Sequence, residues 1–515
     1  MDWLAGLLVL ETTLEGLLCD GGAVERLRWR RMAILLSAAV LILVTAVLCI
    51  QVGQIWLWAV PVVGYRLINL LRLYRNRLPA AQLRTVSLRA FGWLLTAEMV
   101  VVVLAWFATQ YTLGSILFDV LLTAQLLNAV LLLRVSTRTW RHAAMPTQGA
   151  AALSDKQLPA VSVLVPARNE TDDLQRCLER LVASDYPKLE ILVLDDCSAV
   201  RRTPEIIRSF AHAGVRFVQG NAPDETHWLP KNYAYEQLAR EASGELLLFC
   251  GVDVVMEPHT IRQLVSLLQD RKKDMLSVLP LRVRTISRGS SLLQVMRYYW
   301  EVCLPRRLFK RPPVLSTCWL VRSDALQHMG SFASVSRSVS PEAIFARRAV
   351  VTDAYSFVRS DEQLGLYSNK AAADQYDTSV RVRYPQLHRR LELVGLVAFY
   401  ELFLLLGPFI GLFIAVYLPH PLLYAAIWAV SLACLMVTYS MVAVGTRLTG
   451  AWYGWLLMPV AFMVDLIMLH ISLWKYEFSS VYWKGRNVCI PVMRIEAQGD
   501  AAPTHRLVPQ RQKIS

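Results

Sequence analysis

Three aspartates follow long apolar runs near the middle of this 515-residue chain. Asp195 and Asp196 stand side by side after ILVL, and Asp253 follows LLLFCGV. Adjacent carboxylates at a strand end can bind a base or a ribose, or share a divalent cation with phosphate oxygens. Asp-Asp-x-Ser is also an ordinary turn sequence, so a capped turn is the alternative. If the three carboxylates reach one crevice, a cation is needed to offset their repulsion.

The apolar runs that position these aspartates predict buried strands. The chain reads VSVLVPARNE, ILVLDDCS and LLLFCGVDV in turn, with helical patterns at 172–185 and 231–242 between them. Continuous Val, Leu and Ile runs are typical of a parallel sheet covered on both faces. This order predicts an α/β domain with a doubly wound, mainly parallel sheet. Its ligand crevice lies at the carboxyl ends of the strands and would also receive Arg168 and Glu170.

The motifs PARNE, DDCS, HWLPKNYA and FCGVDV, in this order and spacing, resemble the family 2 glycosyltransferases, which have a GT-A fold. The resemblance covers about residues 158–390 and is particularly like the branch that modifies lipids, ceramide and carotenoids. It implies a nucleotide-sugar donor, with a UDP-sugar expected, and Mn²⁺ or Mg²⁺ as cofactor. It assigns Asp253 to the metal. The residues that it assigns to the donor are Pro166, Arg168, Glu170, Asp195, Asp196 and Lys231.

Two positions depart from the pattern of that family. Gly251 stands where the first aspartate of Asp-x-Asp is usual, so a catalytically degenerate protein is an alternative. Downstream, the resemblance aligns Ser-Pro-Glu with an acidic motif at a helix start. This alignment assigns Glu342 as the general base that takes a proton from the acceptor hydroxyl. Proline followed by glutamate is also an ordinary way to open a helix, which is the structural alternative.

Two further segments resemble motifs of the same family. Gln386, Arg389 and Arg390 resemble QxxRW, with arginine in place of tryptophan, and the resemblance assigns them to the donor diphosphate. Juxtamembrane basic residues are the alternative. Near the C-terminus, YWKGRNV is like a W-K/R-G-R segment of lipid glycosyltransferases, which implies that Trp483 and Arg486 help to close the active site.

The segments on either side of this block are too apolar for a soluble protein. The whole chain is 55% hydrophobic and only 18% charged. Apolar runs of about 18 or more residues predict membrane helices. The second predicted segment, 54–73, is a weak span because Pro61, Gly64, Arg66 and Asn69 interrupt it. The predicted segments are 32–50, 54–73, 88–107, 113–133, 391–417, 421–444 and 452–474.

Net charge is +14, and many arginines lie beside the apolar segments. This positive-inside pattern predicts an integral protein of the cell membrane with its catalytic domain on the cytoplasmic side. No recognition motif accompanies the charge, so nucleic acid is excluded as a partner. The predicted organisation is an amphipathic segment at 1–31, membrane helices at 32–144, a GT-A domain at 158–390, membrane or interfacial helices at 391–480 and a basic cytoplasmic tail at 481–515.

The sequence therefore predicts an inverting membrane glycosyltransferase that transfers one sugar from a nucleotide-sugar to a membrane lipid. Inversion and the metal rest on the family resemblance, whereas the bilayer as a partner rests on the apolar segments. A processive polysaccharide synthase is the nearer alternative, and a degenerate glycosyltransferase-like protein is the other, favoured by Gly251 and Pro341. A transporter would leave the acidic strand ends unexplained.

Overall fold

The computed structural model describes most of the chain: residues 2–21, 27–75, 78, 80–110, 113–145, 154–283, 292–304, 311–448 and 454–489. The predicted basic tail at 481–515 lies largely outside these residues.

The α/β domain lies in the middle of the chain, as predicted. Its first strands are formed by the apolar runs that precede Arg168, Asp195 and Asp253, and they are almost completely buried. The strands are β1 Val161–Ala167, β2 Leu189–Asp195, β3 Val215–Gln219, β4 Leu246–Cys250, β5 Val254–Met256, β6 Met275–Leu279, β7 Leu281–Arg282, β8 Cys318–Arg322, β9 Tyr355–Arg359, β10 Leu366–Ser368, β11 Tyr482–Trp483 and β12 Arg486–Asn487.

Seven strands form the main sheet in the order β3-β2-β1-β4-β8-β6-β9. Neighbouring strands are parallel except that β8 runs antiparallel to both β4 and β6. The predicted mainly parallel sheet is therefore confirmed, with one reversed strand. Because β1, β2 and β4 are parallel, their carboxyl ends meet at one edge. A second sheet, β5-β10-β7, and the hairpin of β11 and β12 complete the strands.

Helices cover the sheet and form the apolar regions before and after it. The predicted helices after β1 and before β4 are present as α7 and α9. The helices are α1 Asp2–Asp20, α2 Leu27–Gln51, α3 Gln54–Leu57, α4 Val60–Arg75, α5 Ala80–Gln110, α6 Leu113–His142, α7 Asp172–Val182, α8 Arg202–Ser209, α9 Pro230–Glu241, α10 Thr260–Asp270, α11 Leu292–Cys303, α12 Ser323–His328, α13 Pro341–Val351, α14 Ala372–Gln386, α15 Leu391–Phe399, α16 Gly407–Ile414, α17 Pro421–Gly445 and α18 Met458–Phe478.

Six helical stretches in the described residues are long and apolar enough to cross a membrane, three on each side of the α/β domain. A π-helical turn at Tyr400–Leu406 joins α15 to α16 within one of them. The sequence predicted seven, and the surplus one is 54–73, which consists of α3 and the short α4. The six are Trp29–Gln51, Ala80–Thr109, Ser115–His142, Leu391–Tyr417, Pro421–Gly445 and Trp455–Phe478.

A buried ion cluster explains why α4 differs from the other apolar segments. Its Arg66 is fully buried and pairs with Glu11 at 2.8 Å, Glu15 at 2.5 Å and Glu98 at 2.6 Å. An arginine among apolar residues is costly unless carboxylates surround it. Two of these carboxylates come from α1, so α1 is helical as expected but turns part of its acidic side inward instead of lying as a simple amphipathic helix on a surface.

Helix α14 is tied to the helices that follow it. Arg383 forms ion pairs with Asp465 of α18 and with Glu401, the latter at 3.4 Å. The hydroxyl of Tyr384 donates to Glu477 of α18 at 2.5 Å. These contacts fix the orientation of α14, which carries residues of the site described next.

Candidate active site

A cavity of about 100 Å³ lies at the carboxyl end of β4 and contains the strongest candidates for chemistry. Asp253 borders it from the turn after β4, Lys231 from the first turn of α9 and Glu342 from the first turn of α13. We call it the Asp253 cavity. The other polar side chains that line it are Asn232, Arg297, Ser316, Thr317, Ser338, Ser340, Lys370, Thr378, Arg381 and Trp483.

Cations outnumber carboxylates around this cavity. Burial lowers the pKa of Lys231 to about 8 and that of Lys370 to about 7, although nearby carboxylates oppose this shift. Arg297 donates to the hydroxyl of Ser316 at 2.8 Å, and the guanidinium of Arg381 lies 5.3 Å from the ring of Trp483. Against these four cations stand only Asp253 and Glu342 among the described lining residues. Such a lining suits a polyphosphate group.

Glu342 is a buried carboxylate, 5% exposed, at the start of α13. Burial raises the pKa of its carboxyl, and the charge of Lys231 opposes that rise. Pro341 occupies the first turn and presets the helical backbone. A carboxylate with a raised pKa in a cavity is a competent proton acceptor near neutral pH.

The loop that leads to Glu342 is held in place by Asn232. Its amide nitrogen donates to the backbone oxygens of Val335, Ser336 and Ser338 at 3.1, 3.0 and 2.8 Å. Asn232 is buried and follows Lys231 directly. The same helix start therefore supplies a cation to the cavity and fixes the loop that forms its opposite wall.

The geometry at Gly251 bears on the expected metal. A Cβ at this position would meet Oδ1 of Asp253 at 2.6 Å, so the carboxylate of Asp253 occupies the space that a side chain there would take. Among the described residues, no group of three or more His, Cys, Asp or Glu could hold a metal. Asp253 can thus supply one ligand, and the residues fit a divalent ion if oxygens of a bound diphosphate supply others.

Four of the expected donor residues meet at the carboxyl ends of β1 and β2. Arg168 donates to the backbone oxygen of Cys197 at 2.8 Å, and the backbone nitrogen of Ser198 donates to Asp195 at 3.2 Å. Burial raises the pKa of Glu170, and Lys484 opposes the rise. Because β1 pairs with both β2 and β4, this crevice adjoins the Asp253 cavity at the end of β4.

Pro166 lies in β1 opposite Leu194 of β2 and is partly exposed at the same end of the sheet.

The hairpin of β11 and β12 covers this crevice. Arg486 contacts both carboxylate oxygens of Asp196 at 2.7 and 2.8 Å, and Lys484 forms an ion pair with Glu170. Burial raises the pKa of Asp196, and Arg486 opposes the rise. Trp483 of the same hairpin lines the Asp253 cavity. One short segment after the last long helix thus contacts both parts of the site.

The structure does not bring Gln386, Arg389 and Arg390 to the Asp253 cavity. Gln386 and Arg389 line a separate, larger cavity, and Arg390 pairs with Glu392 at 2.8 Å. The reason is the end of α14 at Gln386, after which the chain turns away towards α15. Arg381, five residues before Gln386 in the same helix, lines the Asp253 cavity instead.

The chain matches known proteins over the same α/β domain. Residues 162–330 match the family model described as glycosyl transferase family 2. An N-acetylglucosaminyltransferase of Bradyrhizobium elkanii is 30% identical over 138 residues, which cover 25% of this chain and 72% of that protein. The chain belongs to the family 2 glycosyltransferases.

Other relatives of this family 2 glycosyltransferase are more distant. The glycosyltransferase AglE of Haloferax volcanii is 26% identical over 179 residues, which cover 34% of this chain and 56% of that protein. The chain therefore spans little more than half the length of that relative. A solved mannosyltransferase from Pyrobaculum calidifontis, in complex with GDP-Man and Mn²⁺, shares 17% identity at a TM-score of 0.41, over 68% of this chain and 96% of that one.

Sequence reasoning missed three residues of this family 2 glycosyltransferase that face the Asp253 cavity: Arg297, Lys370 and Arg381. Arg297 and Lys370 lie in segments without a motif. The sequence does contain a signal for Arg381: it follows Thr378 at the same three-residue spacing as Arg389 follows Gln386. Thr378 and Arg381 line the cavity from one face of α14.

Proposed function

We propose that this protein is an inverting glycosyltransferase that moves one sugar from a nucleotide-sugar, expected to be a UDP-sugar, to a hydroxyl of a membrane lipid. The observation that carries the proposal is the meeting of Glu342, Asp253 and Lys231 in one cavity next to the crevice of Asp195 and Asp196. A proton acceptor and a polyphosphate site side by side are what glycosyl transfer requires.

The reaction follows from these groups. The acceptor oxygen forms a bond to the anomeric carbon while the bond from that carbon to the diphosphate oxygen breaks, and the electron pair leaves with the nucleotide. Glu342 takes the hydroxyl proton as the nucleophile attacks. Lys231, Lys370, Arg297 and Arg381 stabilise the charge that develops on the departing diphosphate. The attack comes from the side opposite the nucleotide, which inverts the configuration.

Asp253 would hold Mn²⁺ or Mg²⁺ together with the diphosphate oxygens. When bound, such an ion supplies additional neutralisation of the leaving group. Pro166, Arg168, Glu170, Asp195 and Asp196 would hold the nucleoside. Since Arg486 and Lys484 already pair with two of these residues, the hairpin would form part of the donor site.

A lipid acceptor and a cytoplasmic active site are supported by the long apolar helices on both sides of the domain. Arg134, Arg138 and Arg141 lie at the end of α6, directly before the domain. The positive-inside rule places such clusters in the cytoplasm. A hydroxyl at the bilayer surface is then the natural acceptor.

Membranes that contain the protein, a panel of labelled nucleotide-sugars, and Mn²⁺ or a chelator test the proposal. We expect label in the lipid extract, lost with Glu342→Gln, whereas nucleotide binding persists. Glu205→Gln, on the exposed side of α8, is the matched control and should transfer normally. Transfer at the wild-type rate by Glu342→Gln would remove Glu342 as the base. Nucleotide binding without any transfer, together with Gly251, would favour the degenerate alternative, and long polymeric products would favour the processive one.

A further inference from the structure

A second cavity, of about 310 Å³, lies behind the loop that walls the Asp253 cavity. Ser338, Val339 and Ser340 line both cavities, so the loop fixed by Asn232 is their common wall. The first turn of α13 is shared in the same way, because Glu342 faces one cavity and Ala343 faces the other. We call the second one the Arg311 cavity.

The lining of the Arg311 cavity is basic. It includes Arg311, Arg337, Arg347, His388 and Arg389, and no Asp or Glu occurs among the described lining residues. These cations come from separate parts of the chain, so their convergence is a property of the fold and not of one basic run.

Among the described residues, two carboxylates lie near these cations. Glu301 pairs with Arg311 at 2.5 Å, and Glu392 lies between Arg89 and Arg390 at 3.1 and 2.8 Å. The pKa of His388 is lowered by burial and then by the positive charges of Arg347, Arg390, Arg311 and Arg89. Cations gathered in one cavity repel one another, and an anionic ligand relieves that repulsion.

The cavity also lies at the start of an apolar helix. His388 and Arg389 both have φ of 53°, and this left-handed turn directly precedes Leu391–Tyr417, one of the six stretches that could cross a membrane. Arg89 belongs to another, Ala80–Thr109. Basic pockets at the ends of membrane helices suit lipid head groups.

We propose that the Arg311 cavity binds the phosphate of the acceptor, which is an anionic glycerophospholipid with a free hydroxyl in its head group. The inference rests on the proposed function, because it takes Glu342 as the base. With the phosphate held by Arg311 and Arg347, the head-group hydroxyl extends around the first turn of α13, from the side of Ala343 to that of Glu342. The arginine side chains donate to the phosphate oxygens in the paired geometry that guanidinium groups favour.

The test mixes the full-length protein in detergent with phosphatidylcholine vesicles, and each set of vesicles contains one added lipid. Phosphatidylglycerol has both the phosphate and the hydroxyl, diacylglycerol has only the hydroxyl, and phosphatidic acid has the phosphate without a head-group hydroxyl. We expect labelled sugar on phosphatidylglycerol and not on diacylglycerol, and competitive inhibition by phosphatidic acid. Arg347→Gln should raise the KM for phosphatidylglycerol about tenfold or more, since it removes a charge-assisted contact. Nucleotide affinity should not change.

Arg202→Gln, an exposed arginine of α8, is the control and should leave the KM unchanged. Transfer to diacylglycerol as efficient as to phosphatidylglycerol, with no effect of Arg347→Gln, would overturn this inference while the proposed function stands. Inhibition by inorganic phosphate that equals that by phosphatidic acid would assign the cavity to a soluble anion and would also overturn it. Failure of the proposed function itself would appear as no transfer to any lipid extract. In that case the cavity can still be tested by binding of the protein to phosphatidic acid vesicles, which Arg347→Gln should weaken.

Discussion

Arg486→Met removes the cation that holds the β11–β12 hairpin against the sheet. In the native protein one nitrogen of Arg486 contacts both carboxylate oxygens of Asp196, at 2.7 and 2.8 Å, and both side chains are less than one-tenth exposed. Methionine keeps much of the apolar stem and leaves the carboxylate without a counter-charge. Removal of one partner from a buried ion pair costs about 3–5 kcal/mol.

The other contacts of charged side chains in the hairpin are each weaker than this loss. Lys484 and Glu170 are 25% and 18% exposed, and a pair with such access to water is worth up to about 1 kcal/mol. The contact of Trp483 with Arg381 adds about 0.5–2 kcal/mol. Release of the hairpin tip restores water to Asp196 and avoids the penalty, whereas Val481 and Val488 at its base are buried in the core. We therefore expect the tip, residues 483–486, to leave the crevice.

Hydrogen exchange of the amides at 482–487 measures this directly. A loss of about 3–5 kcal/mol corresponds to exchange that is about 10² to 4 × 10³ times faster. Sugar transfer should fall as well, because Trp483 leaves the Asp253 cavity. With Asp196→Asn already present, Arg486→Met should add little, since the two side chains act as one pair. Unchanged protection of the hairpin in Arg486→Met would refute this reasoning.

Three further perturbations test the Asp253 cavity. The first is pH: the kcat/KM of sugar transfer should rise as pH passes the raised pKa of Glu342, because only the carboxylate accepts a proton. It should fall again between about pH 7 and about pH 8, as Lys370 and Lys231 lose their charge. A flat profile would contradict this. Lys370→Met should weaken UDP binding about tenfold or more in calorimetry, since a charged contact to phosphate is lost, whereas Lys273→Met, on the far side of the domain, should leave it unchanged. Gly251→Asp adds a second carboxylate beside a movable side chain and should tighten Mn²⁺ binding in the presence of UDP, and equal Mn²⁺ affinity in both proteins would be the contrary result.

The strand that ends in Asp195 and the strand just before Asp253 could be predicted because each is a continuous apolar run, which is typical of a sheet buried on both faces. The reversed direction of strand β8 could not be predicted. Its sequence CWLVR is as apolar as its neighbours, and its direction depends on the path of the chain between α11 and β8, about which hydrophobic periodicity says nothing.

The candidate site was predictable where residues lie at strand ends or in the first turn of a helix, and not where they lie inside α11 and α14. The same three-residue spacing occurs twice in this region, between Thr378 and Arg381 and between Gln386 and Arg389. The rotation of α14, set by contacts of Arg383 with α18 and its neighbours, and the end of this helix at Gln386 decide which pair faces the cavity. That rotation depends on residues far away in the sequence. The cations Arg297 and Lys370 are brought in by the same tertiary packing.

The position of the hairpin after the last apolar helix has a consequence for biosynthesis. A ribosome completes the sheet, Asp253 and Glu342 long before it reaches Trp483 and Arg486. Until the chain beyond α18 has been made, the crevice lacks the cation for Asp196 and the cavity lacks Trp483. On the proposed function, partly synthesised chains therefore do not consume nucleotide-sugar.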